Sequence, residues 1–457
     1  MSFESALHHL AEEGVHHGLE AFASDLDAAW VREALERCGA ASIRRRKLPA
    51  ESVVWLVVGM GLLRDCSIAD VVRHLDLALP SADGSRGHVA NSAVTAARQR
   101  LGEGPLEEIF VQSARHWAHD HARSDSWRGL AAYAMDGTTL NVPDTDANRA
   151  AFHLPKTGRG QSSYPKVRLV TLMAARSHLL VDAAIGAFDG KGTSEPALAR
   201  PFWSAVPDRS LLLADRNFID HAQLHRFATD GAERHWLVRT KKSLVATPTR
   251  ELAPGDTLAT IEIGRHRRAK DPGLPRTMDV RLIDYEFDGK PGRLMTNLLD
   301  PEAWPAAEVV AMYHERWEIE IAFDELKTHM LERKECLRSK SPTGVKQEIW
   351  ALLLAYNLVR RRMAMAARNI DQQGRNMSFV FSLRLVRAFL VATAWDGSAA
   401  NIPRHLKRLD EELESATLPA RRSHRRYPRH VKRKMSGYKR NPGRPVTSQD
   451  DEEDSAK

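Results

Sequence analysis

A chain of 457 residues, 43% hydrophobic and 28% charged, has length for two or three domains and the balance of a water-soluble globular protein. Its formal net charge of +8 favours a polyanionic partner, which on charge alone is either nucleic acid or an acidic membrane surface. Three scattered cysteines, Cys38, Cys66 and Cys336, exclude a disulfide framework and a zinc site of clustered thiols, and the most apolar run, Val53 to Leu63, is too short to span a bilayer.

The first segment, to about Ser126, is patterned for helices. No basic stretch followed by an apolar one opens it, so no secretory signal is expected. His8, His9, His16 and His17 point to different faces of a solvated helix and make no metal site. A basic patch, Ser42 to Lys47, precedes the apolar helix that Pro49 and Glu51 open. Asp65 to Leu77 places Ile68, Val71, Val72 and Leu75 at helical spacing. Ser92 to Leu101 forms another helix, with Arg98, Gln99 and Arg100 projecting from it. Two short helices with a basic second one suit a helix-turn-helix-like DNA reader; an ordinary bundle with a solvated basic face suits them equally.

From Leu130 the pattern turns to strands. Ala131 to Met135 leads into Asp136-Gly137, read as the end of a strand. Val167 to Ala175 and Leu179 to Phe188 predict an antiparallel pair, and Glu195 to Trp203 a helix. Leu211 to Ala214 is a buried strand ending at Asp215, followed by a helix over His221 to Ala228 and a strand over Trp236 to Arg239. This order predicts a mixed α/β sheet with helices on its faces. Residues Arg239 to Trp304, rich in Thr, Arg, Pro and Gly, read as a β-rich insertion with short strands at Thr257 to Ile263 and Val280 to Phe287. Helical spacing returns over Ala306 to Met330, Gly344 to Ala366 and Phe379 to Trp395. Beyond Leu418 apolar residues become sparse. Arg421 to Arg444 carries eleven Arg and Lys residues and no acid, and Asp450 to Asp454 is acidic, the composition of a tail without a core of its own.

The densest chemistry lies on the predicted helix around Arg316. Tyr313, Arg316, Glu320 and Lys327 fall within an arc of roughly 60° on a regular helix, in a row about 20 Å long. Ile319, Ala322, Phe323 and Leu326 take other parts of the wheel and anchor it. A solvated charged face, with Arg316 and Glu320 as an ordinary i, i+4 pair, is the plainer reading. Asp136 and Asp215 each follow an apolar strand, where an α/β sheet opens to a cleft, although an Asp-Gly after a strand is most often only a turn. Three carboxylates from separate elements are donors of the kind that magnesium or manganese prefers. No glycine-rich phosphate loop is present, so nucleotide dependence is not expected.

Tyr313-x2-Arg316-x3-Glu320-x6-Lys327 resembles the Y-R-E-K signature of a large group of bacterial insertion-sequence transposases, DDE enzymes with an RNase H-like core. Asp136-Gly137-Thr138 resembles the first catalytic segment of that group, and Ala214-Asp215-Arg216-Asn217-Phe218 the second. The interval from Asp215 to Glu320 matches the group's β-strand insertion. Leu337-Arg338-Ser339-Lys340 and Ala355-Tyr356-Asn357-Leu358 resemble segments that follow the signature.

The resemblance implies an α/β fold: an RNase H-like mixed-sheet catalytic core with a β-rich insertion and an N-terminal all-α domain. On this reading residues 1–126 are a helical DNA-binding domain. Residues 127–238 and 305–400 form the core, 239–304 the insertion and 401–457 a basic tail. It further implies cut-and-paste transposition at terminal inverted repeats, with two magnesium ions (or manganese) held by Asp136, Asp215 and Glu320. Asp136 would bridge the ions. Arg316 and Lys327 would bind phosphates, and Tyr313 would stack on a base or donate to a phosphate. The implied partner is double-stranded DNA, at the element ends and at the target, with a homodimer forming on synapsed ends and no membrane partner. The implied location is the bacterial cytoplasm, at the nucleoid. Some members flip a base onto an aromatic residue of the insertion; Trp236 and Trp304 are candidates, with core packing the stronger expectation for each. The rival readings are a related nuclease without strand transfer, a transposase-derived DNA-binding regulator, and, further off, a tyrosine recombinase using Tyr313 or Tyr356.

Overall fold

Five helices lead into the sheet: α1 (Ala28–Arg37), α2 (Ala50–Leu62), α3 (Ile68–His74), α4 (Asn91–Leu101) and α5 (Gly104–Ser124). A computed structural model describes residues 25–41, 48–75, 77, 89–157, 160–161, 164–240, 243–287, 289–332, 336–396 and 399–419. The patch Ser42 to Lys47, the four N-terminal histidines and the tail from Arg421 lie outside these residues. The chain divides into two units, Met1–Leu418 and Pro419–Lys457, and all the elements described here lie in the first.

Helix α2 is buried almost all round, as an apolar run without a polar face must be. It packs on the long helix Pro342–Asn369, and α5 packs on the same helix. A buried ion pair between Arg64 and Glu348 ties this segment to the core. The basic second helix of the expected DNA reader is only partly available. Arg98 turns inward, its Nε donating to Gln347 Oε1 at 2.9 Å and its Nη2 to Ser339 Oγ at 3.1 Å, because those buried acceptors would otherwise lack a donor. Gln99 and Arg100 remain exposed.

The sheet begins with β1 (Ala131–Asn141). A short helix α6 (Asp146–Phe152) and a two-stranded ribbon, β2 (Lys156–Thr157) with β3 (Gly160–Gln161), lead to β4 (Lys166–Ala174) and β5 (Leu180–Ala187). Glu195 to Trp203 forms two single-turn helices, α7 (Glu195–Leu198) and α8 (Phe202–Ala205), because Pro201 interrupts the run. Then come β6 (Ser210–Ala214), α9 (His221–Thr229) and β7 (Arg234–Arg239). In the insertion, β8 (Thr247–Ala253), β9 (Asp256–Glu262), α10 (Arg265–Lys270), β10 (Thr277–Phe287) and β11 (Lys290–Thr296) follow.

All nine longer strands form one sheet in the order β5-β4-β1-β6-β7-β11-β10-β9-β8. Strands β1, β6 and β7 are parallel, with β4 and β5 antiparallel on one side. The insertion is a meander whose last strand pairs antiparallel with β7, Leu294 to Thr296 against Arg239 to Leu237, so it extends the core sheet. The central runs Ala131–Met135 and Leu211–Ala214 are wholly buried, which is why they read as unbroken apolar sequence.

The last part is helical: α11 (Ala306–His314), a 3-10 turn Glu315–Trp317, α12 (Glu318–Asp324), a π turn Glu325–Met330, α13 (Pro342–Asn369), α14 (Phe379–Asp396) and α15 (Ile402–Glu414). Ser341 caps α13, its side chain accepting from Gly344 N. Asn357 of α13 accepts from Leu180 N at 2.9 Å and donates to Leu180 O at 2.8 Å, pinning the start of β5. Among the described residues, no helix is long and apolar enough to cross a membrane.

Candidate active site

Asp136 and Asp215 lie at the same level on neighbouring parallel strands. Pairing of β1 with β6 ends at Met135 opposite Ala214, and each aspartate is the next residue. Parallel neighbours lie about 5 Å apart, so both carboxylates reach one opening. Asp215 closes β6, as its sequence predicts, and caps the 3-10 turn Arg216–Phe218 by accepting from Asn217 N. Asp136 differs from expectation: its strand continues to Asn141, held by antiparallel pairing with β4. The Asp-Gly is therefore no turn. Gly137 lets the Glu195 side chain lie against β1: a Cβ there would sit 2.6 Å from Glu195 Cγ, and the glutamate would have to move aside.

The predicted helix over Ala306 to Met330 exists but is not regular. It passes from α11 through a 3-10 turn into α12 and ends in the π turn. The single row of four side chains is accordingly broken: the tightened turn at Arg316 and the widened one at Lys327 shift both from their ideal angles. Arg316 is 8% exposed and Glu320 lies towards solvent. Arg316 Nη1 stands 3.3 Å from Asp136 Oδ2 and Nη2 3.0 Å from Glu320 Oε1. One guanidinium thus joins two of the three predicted carboxylates.

Electrostatics follow from this crowding. Burial pushes the Asp136 carboxyl up to about 6, and the carboxylates of Asp215 and Glu195 add to the rise. The Gly137 N–H, at 2.7 Å from Oδ1, and the Arg316 guanidinium oppose it. For Arg316, burial alone favours the neutral form, but Tyr313, Asp136 and Glu320 outweigh it and hold the charge. Lys327 is half-buried beside Lys166, and burial followed by that like charge lowers its pKa. Among the described residues, no three carboxylate, histidine or cysteine side chains close on a point as an ion requires. In donor type the set nevertheless fits a hard divalent cation: all oxygen, and already drawing a positive charge between two of its members.

The sequence matches the family described as Insertion element 4 transposase N-terminal over residues 16–111, and that described as Transposase DDE domain over residues 127–358. It is 35% identical over 414 residues to Transposase InsG for insertion sequence element IS4 of Escherichia coli K12, covering 90% of this chain and 92% of that protein. The chain belongs to the IS4 family of DDE transposases. A Putative transposase InsZ of the same organism is 36% identical over 228 residues, 49% of this chain and 73% of that one. A piggyBac transposase synaptic complex with hairpin DNA, solved by cryo-EM, overlaps 89% of this chain and 86% of that chain at 10% identity and a TM-score of 0.44. Family membership makes this protein a DNA transposase, an enzyme of metal-dependent DNA cleavage and transfer.

Beside Asp215 the transposase has a cleft of about 170 Å³, lined by Tyr313, Arg316, Trp317, Arg239, Tyr285 and Phe287 among others. Trp317 is 51% exposed and Phe287 47%, unlike most large apolar side chains of the protein. Tyr313 is 4% exposed, so its ring packs inside, against Tyr285 at 6.5 Å between centroids, and burial pushes its hydroxyl up to about 12. Trp236 is fully buried, and Trp304 packs 5.2 Å from Trp127, so both go to the core. Sequence reasoning missed Trp317, Phe287, Arg239 and Glu195. For Trp317 a signal existed: it adjoins Arg316. For the other three none is local: the sheet brings Phe287 and Arg239 here, and the short helix after β5 brings Glu195.

Proposed function

We propose that this transposase performs cut-and-paste transposition of an insertion sequence at terminal inverted repeats, with Asp136, Asp215 and Glu320 as its catalytic metal ligands. The observation that carries this reading is the pair of aspartates side by side where the pairing of β1 with β6 ends, with Glu320 linked to one of them through Arg316. Magnesium or manganese ions, when bound, supply Lewis acidity at the scissile phosphate and a lowered pKa for the attacking water or 3′-hydroxyl. The protein's share is positioning and charge neutralisation, since phosphoryl transfer needs little covalent help. Arg316 and Lys327 bind the phosphates that flank the scissile bond, and the Tyr313 hydroxyl donates to a phosphate in the cleft. The exposed faces of Trp317 and Phe287 suit stacking on an unpaired base better than either tryptophan named from the sequence.

Residues 1–126 act as the DNA-binding region, 127–238 and 305–400 as the RNase H-like core and 239–304 as the insertion; the expected tail from 401 first forms the packed helix α15, and the basic stretch Arg421 to Arg444 acts as a non-specific DNA contact. The enzyme acts at the bacterial nucleoid, as a homodimer formed on paired ends, one protomer to each end. The test is to incubate the protein with DNA carrying its own element's ends and magnesium. Excision followed by joining of the 3′ ends to target DNA supports the proposal. Cutting without joining returns a nuclease, and binding without cutting a DNA-binding regulator.

A further inference from the structure

Behind the helix that carries Glu320 lies a charged network closed to solvent. Glu318 and Glu325 stand on the same helix, two residues before Glu320 and five after it, and both are buried. His178, in the turn between β4 and β5, is 1% exposed, and its Nε2 lies 2.8 Å from Glu318 Oε2. Arg360 of α13 meets Glu325 through Nη2, and its Nε donates to Glu325 Oε2 at 3.1 Å. Tyr356 donates its hydroxyl to Glu325 Oε2 at 2.8 Å. Arg360 Nη2 also lies 2.7 Å from His178 Nδ1, and its Nη1 donates to Gly374 O at 3.2 Å.

Donor chemistry orders the chain of bonds. A guanidinium has only N–H groups to offer, so His178 Nδ1 accepts from Arg360, and the ring proton sits on Nε2, from which it is donated to Glu318. The neutral imidazole therefore relays a single direction of donation: Arg360 to His178 to Glu318. Burial alone would raise the Glu325 carboxyl, but the Arg360 charge and the hydrogen bonds that Arg360 donates reverse this and hold it well below the ordinary range.

Such a network is a poor way to gain stability, because buried ion pairs give back in desolvation much of what they gain. It is a good way to fix geometry. It grips the helix at two points seven residues apart, with Glu320 between them, and Glu325 is where the backbone opens into the π turn. The Glu320 carboxylate itself meets Arg316, and its side chain is 44% exposed, so the course of the helix has the larger part in deciding where that carboxylate points.

We propose that His178, Arg360 and Tyr356 are positioning residues for the transposase reaction, setting the register of the helix through Glu318 and Glu325 and thereby the place of the Glu320 carboxylate. This inference rests on Glu320 being a metal ligand, as proposed above. None of the three touches the reacting DNA.

The test compares full-length wild type, His178→Asn, His178→Gln, Tyr356→Phe and Glu320→Ala. Asparagine tolerates the positive φ of residue 178 and keeps an acceptor for Arg360, but it is too short to reach Glu318. Glutamine restores a donor at the reach of Nε2. His178→Asn is expected to lower the single-turnover cleavage rate ~10-fold to ~100-fold, as an ångström-scale misplacement does, with affinity for end DNA unchanged. Manganese affinity, measured by calorimetry without DNA, falls in the same variant. Glutamine recovers most of both losses, and Tyr356→Phe gives a smaller fall in rate. A variant that melts lower yet cleaves and binds manganese as wild type does overturns the proposal, whether it is His178→Asn or, should that protein not fold, Tyr356→Phe. Glu320→Ala separates the two failures: if it still cleaves, the ligand assignment is wrong; if it is dead while the network variants are normal, only the network is.

Discussion

Arg316 reaches Asp136 from a helix 180 residues later in the chain, its Nη1 3.3 Å from the aspartate's Oδ2. In an IS4-family transposase this places a fixed cation within reach of a carboxylate that burial raises, with Glu320 on the other arm of the same guanidinium. The Arg316–Glu320 contact does occur as the plain i, i+4 pair, but the third partner makes it more than a surface feature.

Arg316→Ala leaves the Asp136 carboxylate in its buried setting without that cation, a change that costs roughly 1–3 kcal/mol where a buried charged group loses its partner. Without metal, the variant's melting temperature is expected to drop below that of wild type. Added magnesium then raises it further in the variant than in wild type, because the ion replaces a charge that wild type already has. Equal magnesium-induced shifts in the two proteins would show that the guanidinium and the ion do not share a function.

Lys327 is half-buried and pairs with no carboxylate among the described residues, which is the condition of a cation awaiting an anion. Lys327→Ala should weaken binding to DNA of any sequence and reduce the slope of log affinity against log salt by about one for each phosphate no longer neutralised. The readout is fluorescence anisotropy over a series of salt concentrations. An unchanged slope would return Lys327 to a solvated face.

His119 and His121 of α5 face the opposite trend to a paired acid. Burial, with neighbouring arginines, pushes both down to about 4, and His119 Nδ1 lies 2.8 Å from the Tyr133 hydroxyl. The unfolded chain protonates its histidines near 6.5, while the fold keeps these two neutral. As pH falls from about 6.5 towards 4 the unfolded state therefore takes up more protons, and stability is lost across that window. His121→Gln removes one such group, so the difference in melting temperature between variant and wild type should shift in the variant's favour from pH 7 to pH 4.5. A constant difference over that range would contradict the assignment.

Much of this was legible from sequence, and the reason is physical. The central strands are buried on both faces, so Leu211 to Ala214 announces itself, and Asp215 with it. The spacing from Tyr313 to Lys327 marks the helix even though its geometry is irregular. What was hidden depends on partners distant in sequence. Asp136-Gly137 reads as a turn until β4 pairs with it. The insertion reads as a separate piece until β11 meets β7. Arg98 reads as a DNA contact until Gln347 and Ser339 claim it. The π turn at Glu325 coincides with contacts to Arg360 and Tyr356, neither of which a helical wheel includes. Phe287 and Trp317 count as core residues by type, and only their exposure marks them otherwise.

Trp317→Ala should lower affinity for a DNA end carrying an unpaired base by about 1–3 kcal/mol, the range for one base stacked on an aromatic ring, and leave affinity for fully paired duplex nearly unchanged. Equal losses on both substrates would assign Trp317 to general packing of the cleft.

The central claim is that Asp136, Asp215 and Glu320 act together as the catalytic ligands, and Asp215→Ala tests it most directly, since Asp215 has no part in the Arg316 bridge. The measurement is the single-turnover rate of cleavage of end-bearing duplex in magnesium, alongside the dissociation constant for the same DNA. The account predicts a rate lower by about three orders of magnitude or more, because a two-ion clamp fails as a unit when one ligand is removed, with DNA affinity unchanged. Cleavage by Asp215→Ala at a rate near that of wild type would contradict it.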